Sequence, residues 1–120
     1  MTLTVKDTQL ETDENGFLRD PAAWNEDVMQ ALVAQHEAEG HKPLSETAKG
    51  LVGYMREHYE ETETVPGMHK IIEELGRAHG ESFAEGEDYK AFLYEMFPHG
   101  PVQMLAKLAG LPNPGVENES

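Results

Sequence analysis

A chain of 120 residues with 38% hydrophobic residues holds enough apolar material for one modest core and not for two. Its 23 acidic and 9 basic side chains give a formal charge of −14, which repels phosphate backbones and anionic lipid and argues against nucleic acid or a membrane surface as partner. No cysteine is present, which removes disulfides, thiolate metal sites, thiol nucleophiles and persulfide chemistry together.

Apolar and polar residues alternate through Leu3-Thr4-Val5 and again through Gln9-Leu10-Glu11-Thr12, with Lys6-Asp7-Thr8 between them, the pattern of a small β-hairpin. Asp13-Glu14-Asn15-Gly16 is a second turn that returns Phe17 and Leu18 to the interior. Asp20 before Pro21 predicts a helix start, because Asp caps free amides and Pro suits the first helical position. Trp24, Val28 and Leu32 then recur every four residues, and Gly40 stops the helix. A second helix is expected from about Ser45, with Ala48, Leu51, Val52, Met55 and Tyr59 on one stripe. Gly50 and Gly53 inside it each cost about 1 kcal/mol relative to Ala, which predicts close helix contact there.

Thr64 and Pro66 open a third helix with Met68, Ile71, Ile72 and Leu75 inward and Glu73 and Glu74 outward, ending near Gly80. A polar loop is expected over 80–87, then a short helix carrying Tyr89, Phe92, Leu93 and Met96 that ends at Phe97-Pro98. Gly100-Pro101 begins a fifth helix with Val102, Leu105, Ala106 and Ala109 on one side, stopped by Gly110 with Pro112 beyond. The expected core is Trp24, Val28, Leu32, Leu51, Val52, Met55, Tyr59, Ile71, Ile72, Leu75, Phe92, Leu93, Met96, Leu105 and Ala109. No basic segment followed by an apolar stretch opens the chain, and no run reaches the roughly 18 apolar residues that cross a bilayer, so a cytoplasmic location is expected.

His36 and His41, with Glu37 and Glu39 between them, are the residue types of a metal site. Their spacing sets the histidines on different helical faces and Gly40 interrupts the helix, which favours an ordinary solvated surface; no metal is expected. His58 lacks the second helical histidine of a zinc-protease motif, and His69 and His79 read as surface or capping groups. His99, between Pro98 and Gly100, reads first as a turn residue, and second as a group whose protonation tunes docking.

Leu93-Tyr94-Glu95-Met96-Phe97-Pro98-His99-Gly100-Pro101, followed by Ala109-Gly110-Leu111-Pro112-Asn113-Pro114, resembles at the same spacing the signature of the DsrC/TusE family of small sulfur-relay proteins. Asp13-Glu14-Asn15-Gly16-Phe17-Leu18, Trp24, and Arg56-Glu57-His58-Tyr59-Glu60 with Pro66 extend the resemblance over most of the chain. It implies a mainly α (α+β) domain over residues 1–112, with a β-hairpin followed by about five helices in an orthogonal bundle, a helix-turn-helix-like pair, and a flexible C-terminal arm over 113–120. In active members that arm carries a near-terminal cysteine that accepts persulfide sulfur and hands it on, and sulfite-reductase and sulfurtransferase partners receive it. The two family cysteine positions fall here on Glu117 and Ala106, and neither can form a persulfide. The lysine usual in the last turn is Asn113, and basic residues frequent on the third helix appear as His69 and Glu73, so positive charge that would favour a thiolate is reduced as well.

The resulting expectation is a monomeric, cofactor-free protein of sulfur metabolism that is not itself an enzyme and binds or regulates partners of the sulfur-relay or sulfite-reductase type. The candidate docking residues are Tyr94, Phe97, His99, Gly100, Pro101, Gly110, Leu111, Pro112 and Pro114, although Tyr94 and Phe97 read first as core aromatics at helical spacing. One alternative is a DNA-binding regulator using the helix-turn-helix-like pair, which Glu73, Glu74 and the −14 charge oppose. Another is an accessory subunit of a sulfite-reductase-type complex.

Overall fold

The computed structural model describes residues 2–79 and 86–114, with backbone alone for His79 and for 86–88. Strand β1 (Thr2–Val5) pairs antiparallel with β2 (Thr8–Glu11), with Leu3 opposite Leu10 and Val5 opposite Thr8. Lys6 supplies the left-handed backbone (φ 53°) that so tight a connection demands. The pleat turns Leu3 and Val5 inward and Thr2 and Thr4 outward, as the alternation requires. In the next turn the Asp13 carboxylate accepts from the amides of Asn15 (2.8 Å) and Phe17 (3.0 Å), Gly16 has φ 87°, and Phe17 and Leu18 are buried.

At Asp20-Pro21 the structure corrects the expected helix start. Asp20 does accept from the Ala22 amide (3.0 Å), but it caps only a single 3-10 turn, Pro21–Ala23. Trp24 is extended, and Asn25 caps the first α-helix, α1 (Glu26–Ala38), by accepting from the Val28 amide at 3.0 Å. Asp20 and Asn25 offer the same capping chemistry; at Asn25 it is joined by Glu26 and Asp27, whose charge suits the helix N-terminus.

Helix α2 (Glu46–Thr62) is capped by Ser45, whose hydroxyl accepts from Ala48, and it buries Ala48, Leu51, Val52 and Met55. The close contact expected at Gly50 and Gly53 is absent: both glycines are exposed, and a Cβ on either would meet no atom within 4 Å. Helix α3 spans Met68–His79. Helix α4 (Gly86–Met96) begins inside the stretch expected to be loop, because Gly86 and Glu87 already belong to it. The rest of that loop and the arm beyond Pro114 lie outside the described residues.

Helix α5 (Pro101–Leu108) is the shortest α-helix and the most enclosed, burying Pro101, Val102, Leu105, Ala106 and Leu108 against α1, α2 and α4. Apolar residues on several of its sides allow that central position. Ten of the residues expected in the core are buried around it, while Trp24, Tyr59, Ile72, Phe92 and Met96 pack half-buried at the margin. Met68, Phe97, Leu108 and Leu111 are among the further residues buried in the core. Among the described residues no helix is long and apolar enough to cross a membrane.

Candidate functional site

The two signature segments supply the end of α4, the turn into α5 with its first residue Pro101, and the turn that leaves it, with the rest of α5 between them. Phe97 is fully buried, its amide donates to Leu93 O (2.8 Å), and the Gly100 amide closes the turn onto Phe97 O (3.1 Å). Gly100 stands at φ 127°, where a side chain would be strained, and Pro101 then starts α5 with its ring at the first helical position. At the far end Gly110 (φ 69°) makes the left-handed stop: its amide donates to Lys107 O (3.1 Å) and that of Leu111 to Ala106 O (2.9 Å).

Trp24 and Arg56 brace this exit. The Trp24 indole N–H donates to Leu108 O (3.0 Å), and a Cβ on Gly110 would fall 2.7 and 2.8 Å from Cγ and Cβ of Trp24. The Arg56 guanidinium lies 5.1 Å from the Trp24 ring centroid, donates to Ala109 O (3.3 Å) and pairs with Glu60 (3.0 Å). Two long side chains thus satisfy carbonyls that the end of a helix leaves unpaired, with a cation at its negative pole.

Of the nine residues expected to form the docking surface, Phe97, Gly100, Pro101, Gly110 and Leu111 are buried, Tyr94 and Pro114 are half-buried, and His99 and Pro112 are exposed. The buried five shape this end of the molecule from inside. Ala106, onto which the resemblance carries one family cysteine position, is wholly buried in α5, and Glu117 lies outside the described residues.

At His36 the structure corrects the expectation of solvated surface, while His41 is half-buried. His36 is only 5% exposed, and it continues the buried α1 stripe of Val28 and Leu32. Helix α1 ends with Gly40 at φ 96° and the His41 amide donating back to His36 O (3.4 Å), a turn that folds the second residue beyond the cap onto the last helical turn. The His41 ring therefore stacks on His36, centroids 4.3 Å apart and 13° from parallel. His99 meets His41 edge-on at 5.7 Å, and Phe97 flanks His36 at 5.9 Å. Burial first, then His41, lowers the His36 pKa from 6.5 to about 4; Glu39 opposes the shift and Lys107 adds to it. Nε2 of His36 is enclosed without a hydrogen-bond partner. Face-to-face stacking does not aim ring nitrogens at a common point, and no group of three or more metal-ligand side chains converges among the described residues.

Gly50 and Gly53 open a groove of about 490 Å³ toward α3, bordered by Tyr54, Glu57, Glu61 and Glu74. Burial, followed by the charges of Glu74 and Glu73, raises the Tyr54 pKa. Among the described side chains of α3, glutamates engage the basic groups: Arg77 with Glu74 through two 2.7 Å bonds, Lys70 with Glu73 at 3.7 Å, and the His69 ring beside Glu73 at 3.2 Å. The side chain of His79 is outside the described residues. Carboxylates along the groove and engaged cations on the helix give the helix-turn-helix reading for DNA no support.

The chain matches the family described as DsrC like protein over residues 4–116. It is 30% identical to Sulfurtransferase TusE of Photorhabdus laumondii over 112 residues, covering 93% of this chain and 94% of the relative. The Escherichia coli protein of the same name is also 30% identical, with 93% and 95% covered. Among solved structures, the oxidized gamma-subunit of the dissimilatory sulfite reductase (DsrC) from Archaeoglobus fulgidus superposes with a TM-score of 0.77 at 26% identity, covering 95% of this chain and 96% of that one. Allochromatium vinosum DsrC gives 0.76 at 26% identity, with 94% of each chain covered.

Proposed function

The chain belongs to the DsrC-like family, and we propose that it acts as a non-catalytic member: it binds protein partners of the sulfur-relay or sulfite-reductase type without carrying sulfur. The observation that carries this reading is a braced exit from α5 in a chain that has no thiol. Trp24, Arg56 and Gly110 still fix where the arm departs, so surface recognition at Tyr94, His99, Pro112 and Pro114 survives the loss of the family's sulfur chemistry. Sulfur transfer needs a thiolate that attacks a donor persulfide and then becomes a persulfide itself, and no oxygen or nitrogen side chain does this. In a cell that also makes a cysteine-bearing relative, such a protein acts as a competitor that regulates sulfur flow.

Intact-mass measurement after incubation with a persulfide-loaded sulfurtransferase tests the chemical half: no increment of about 32 Da, one sulfur atom, is expected. A sulfur adduct stable to separation would overturn it. A second reading, favoured by the likeness to a gamma-subunit of a sulfite reductase, is an accessory subunit held in a stoichiometric complex. Constitutive co-purification with sulfite-reductase subunits would select it over competition.

A further inference from the structure

We propose that His36, His41 and His99 form a proton-operated latch that holds the turn between α4 and α5 against the end of α1 when the rings are neutral and releases it in acid. The stack joins the last turn of α1 and the 39–45 connection that follows it to the 97–100 turn, about sixty residues further along the chain. Each ring rests on the next, His36 on His41 and His41 on His99, so the buried ring is the platform for the other two.

The stack suits neutral imidazole and not imidazolium. His36 is enclosed by Phe97 and His41, and its Nε2 has no acceptor within reach, so a proton placed there creates a buried charge with an unmet N–H. The charged and titratable groups around it do not rescue that proton. Glu39, at the helix end, favours it, while His41 from the connection and Lys107 from α5 disfavour it, and desolvation outweighs all three. His99 reaches the group through His41 and adds no counter-charge. The pair of Lys42 and Glu95, at 3.3 Å between the connection and α4, is exposed and worth little in water. Protonation of His36 therefore favours a state in which the ring has left the stack, so that His41, and through it the exposed side of the 97–100 turn, loses its support while Phe97 stays in the core.

The latch belongs to the free protein, so its test does not depend on what the protein binds. Hydrogen exchange, corrected for the intrinsic effect of pH, is followed at the His41 and Gly100 amides, which bond to His36 O and Phe97 O, with the Met55 amide in α2 as reference. A ring that titrates at 6.5 when released and at about 4 when closed makes local opening about 30-fold more frequent at pH 5.0 than at pH 7.5. His36→Phe keeps an aromatic ring and removes the proton site, and should reduce that increase to less than about threefold, the remainder measuring the other titratable groups. His99→Ala, at an exposed turn, should raise opening at the His41 amide at pH 7.5 while leaving Met55 unchanged. The proposal is overturned if the wild-type increase is equal at Met55, if His36→Phe retains it in full, or if His99→Ala leaves the His41 amide at the wild-type rate.

Discussion

Replacing glycine by alanine should have opposite effects at two positions of this one chain. At Gly110 the new Cβ meets two unfavourable conditions. The φ of 69° costs a side chain about 1–2 kcal/mol, and the methyl group would sit 2.7 and 2.8 Å from Cγ and Cβ of Trp24. Trp24 then has to move, losing its bond to Leu108 O, worth about 1 kcal/mol, and the Arg56 contact over its ring, worth about 0.5–1 kcal/mol. Gly110→Ala should therefore destabilise by about 3 kcal/mol. At Gly53, on the open face of α2, a Cβ meets nothing within 4 Å and the helical backbone favours alanine, so Gly53→Ala should stabilise by about 1 kcal/mol. Urea unfolding followed by far-ultraviolet circular dichroism measures both, and the emission of Trp24, the single tryptophan, reports the displacement directly. A Gly110→Ala variant within about 0.5 kcal/mol of wild type, or a Gly53→Ala variant that loses stability, would refute the packing described for α5 and α2.

Other perturbations test other parts of the fold. Leu93, wholly buried in α4, should cost about 2–5 kcal/mol as Leu93→Ala, read from the urea midpoint. Arg56→Met keeps an apolar stem but loses the Ala109 bond and the contact over Trp24; about 1–2 kcal/mol and a change in Trp24 emission are expected. The His36 pKa is depressed in the folded state, so its stabilising effect is complete above pH 6.5 and falls as pH drops from 6.5 to about 4. The loss reaches about 2–3 kcal/mol, and a series of urea titrations should show it shrink in His36→Phe.

Much of the fold was legible because its signals are local. The period-two run at Leu3 and Val5, the Asp13 turn, the Ser45 cap and the Gly110 stop each act within a few residues, and the structure places them as expected. Where two local signals competed, sequence could not rank them: Asp20 and Asn25 both cap, and only the reach of Trp24 to α5 shows why the chain stays extended between them. Gly50 and Gly53 mislead for a related reason, since a helical glycine reads the same whether it faces a neighbour or a solvent-filled groove. His36 was visible as the next member of the Val28, Leu32 stripe, yet the turn at Gly40 that lays His41 on it is a three-dimensional event. The meeting with His99 is a long-range contact that no spacing rule reaches. The same holds for the brace at the end of α5, whose members Trp24, Arg56 and Gly110 come from three parts of the chain.

The central claim is that recognition persists without sulfur carriage, and one competition measurement tests it most directly. A sulfite-reductase-type complex is loaded with a labelled, cysteine-bearing DsrC-like protein, and this chain is added in increasing amounts while native mass spectrometry follows both occupancy and mass. Displacement of the labelled protein, with this chain bound at its unmodified mass, is the expected result. Full retention of the labelled protein at large excess of this chain, or a bound form heavier by about 32 Da, would contradict the account.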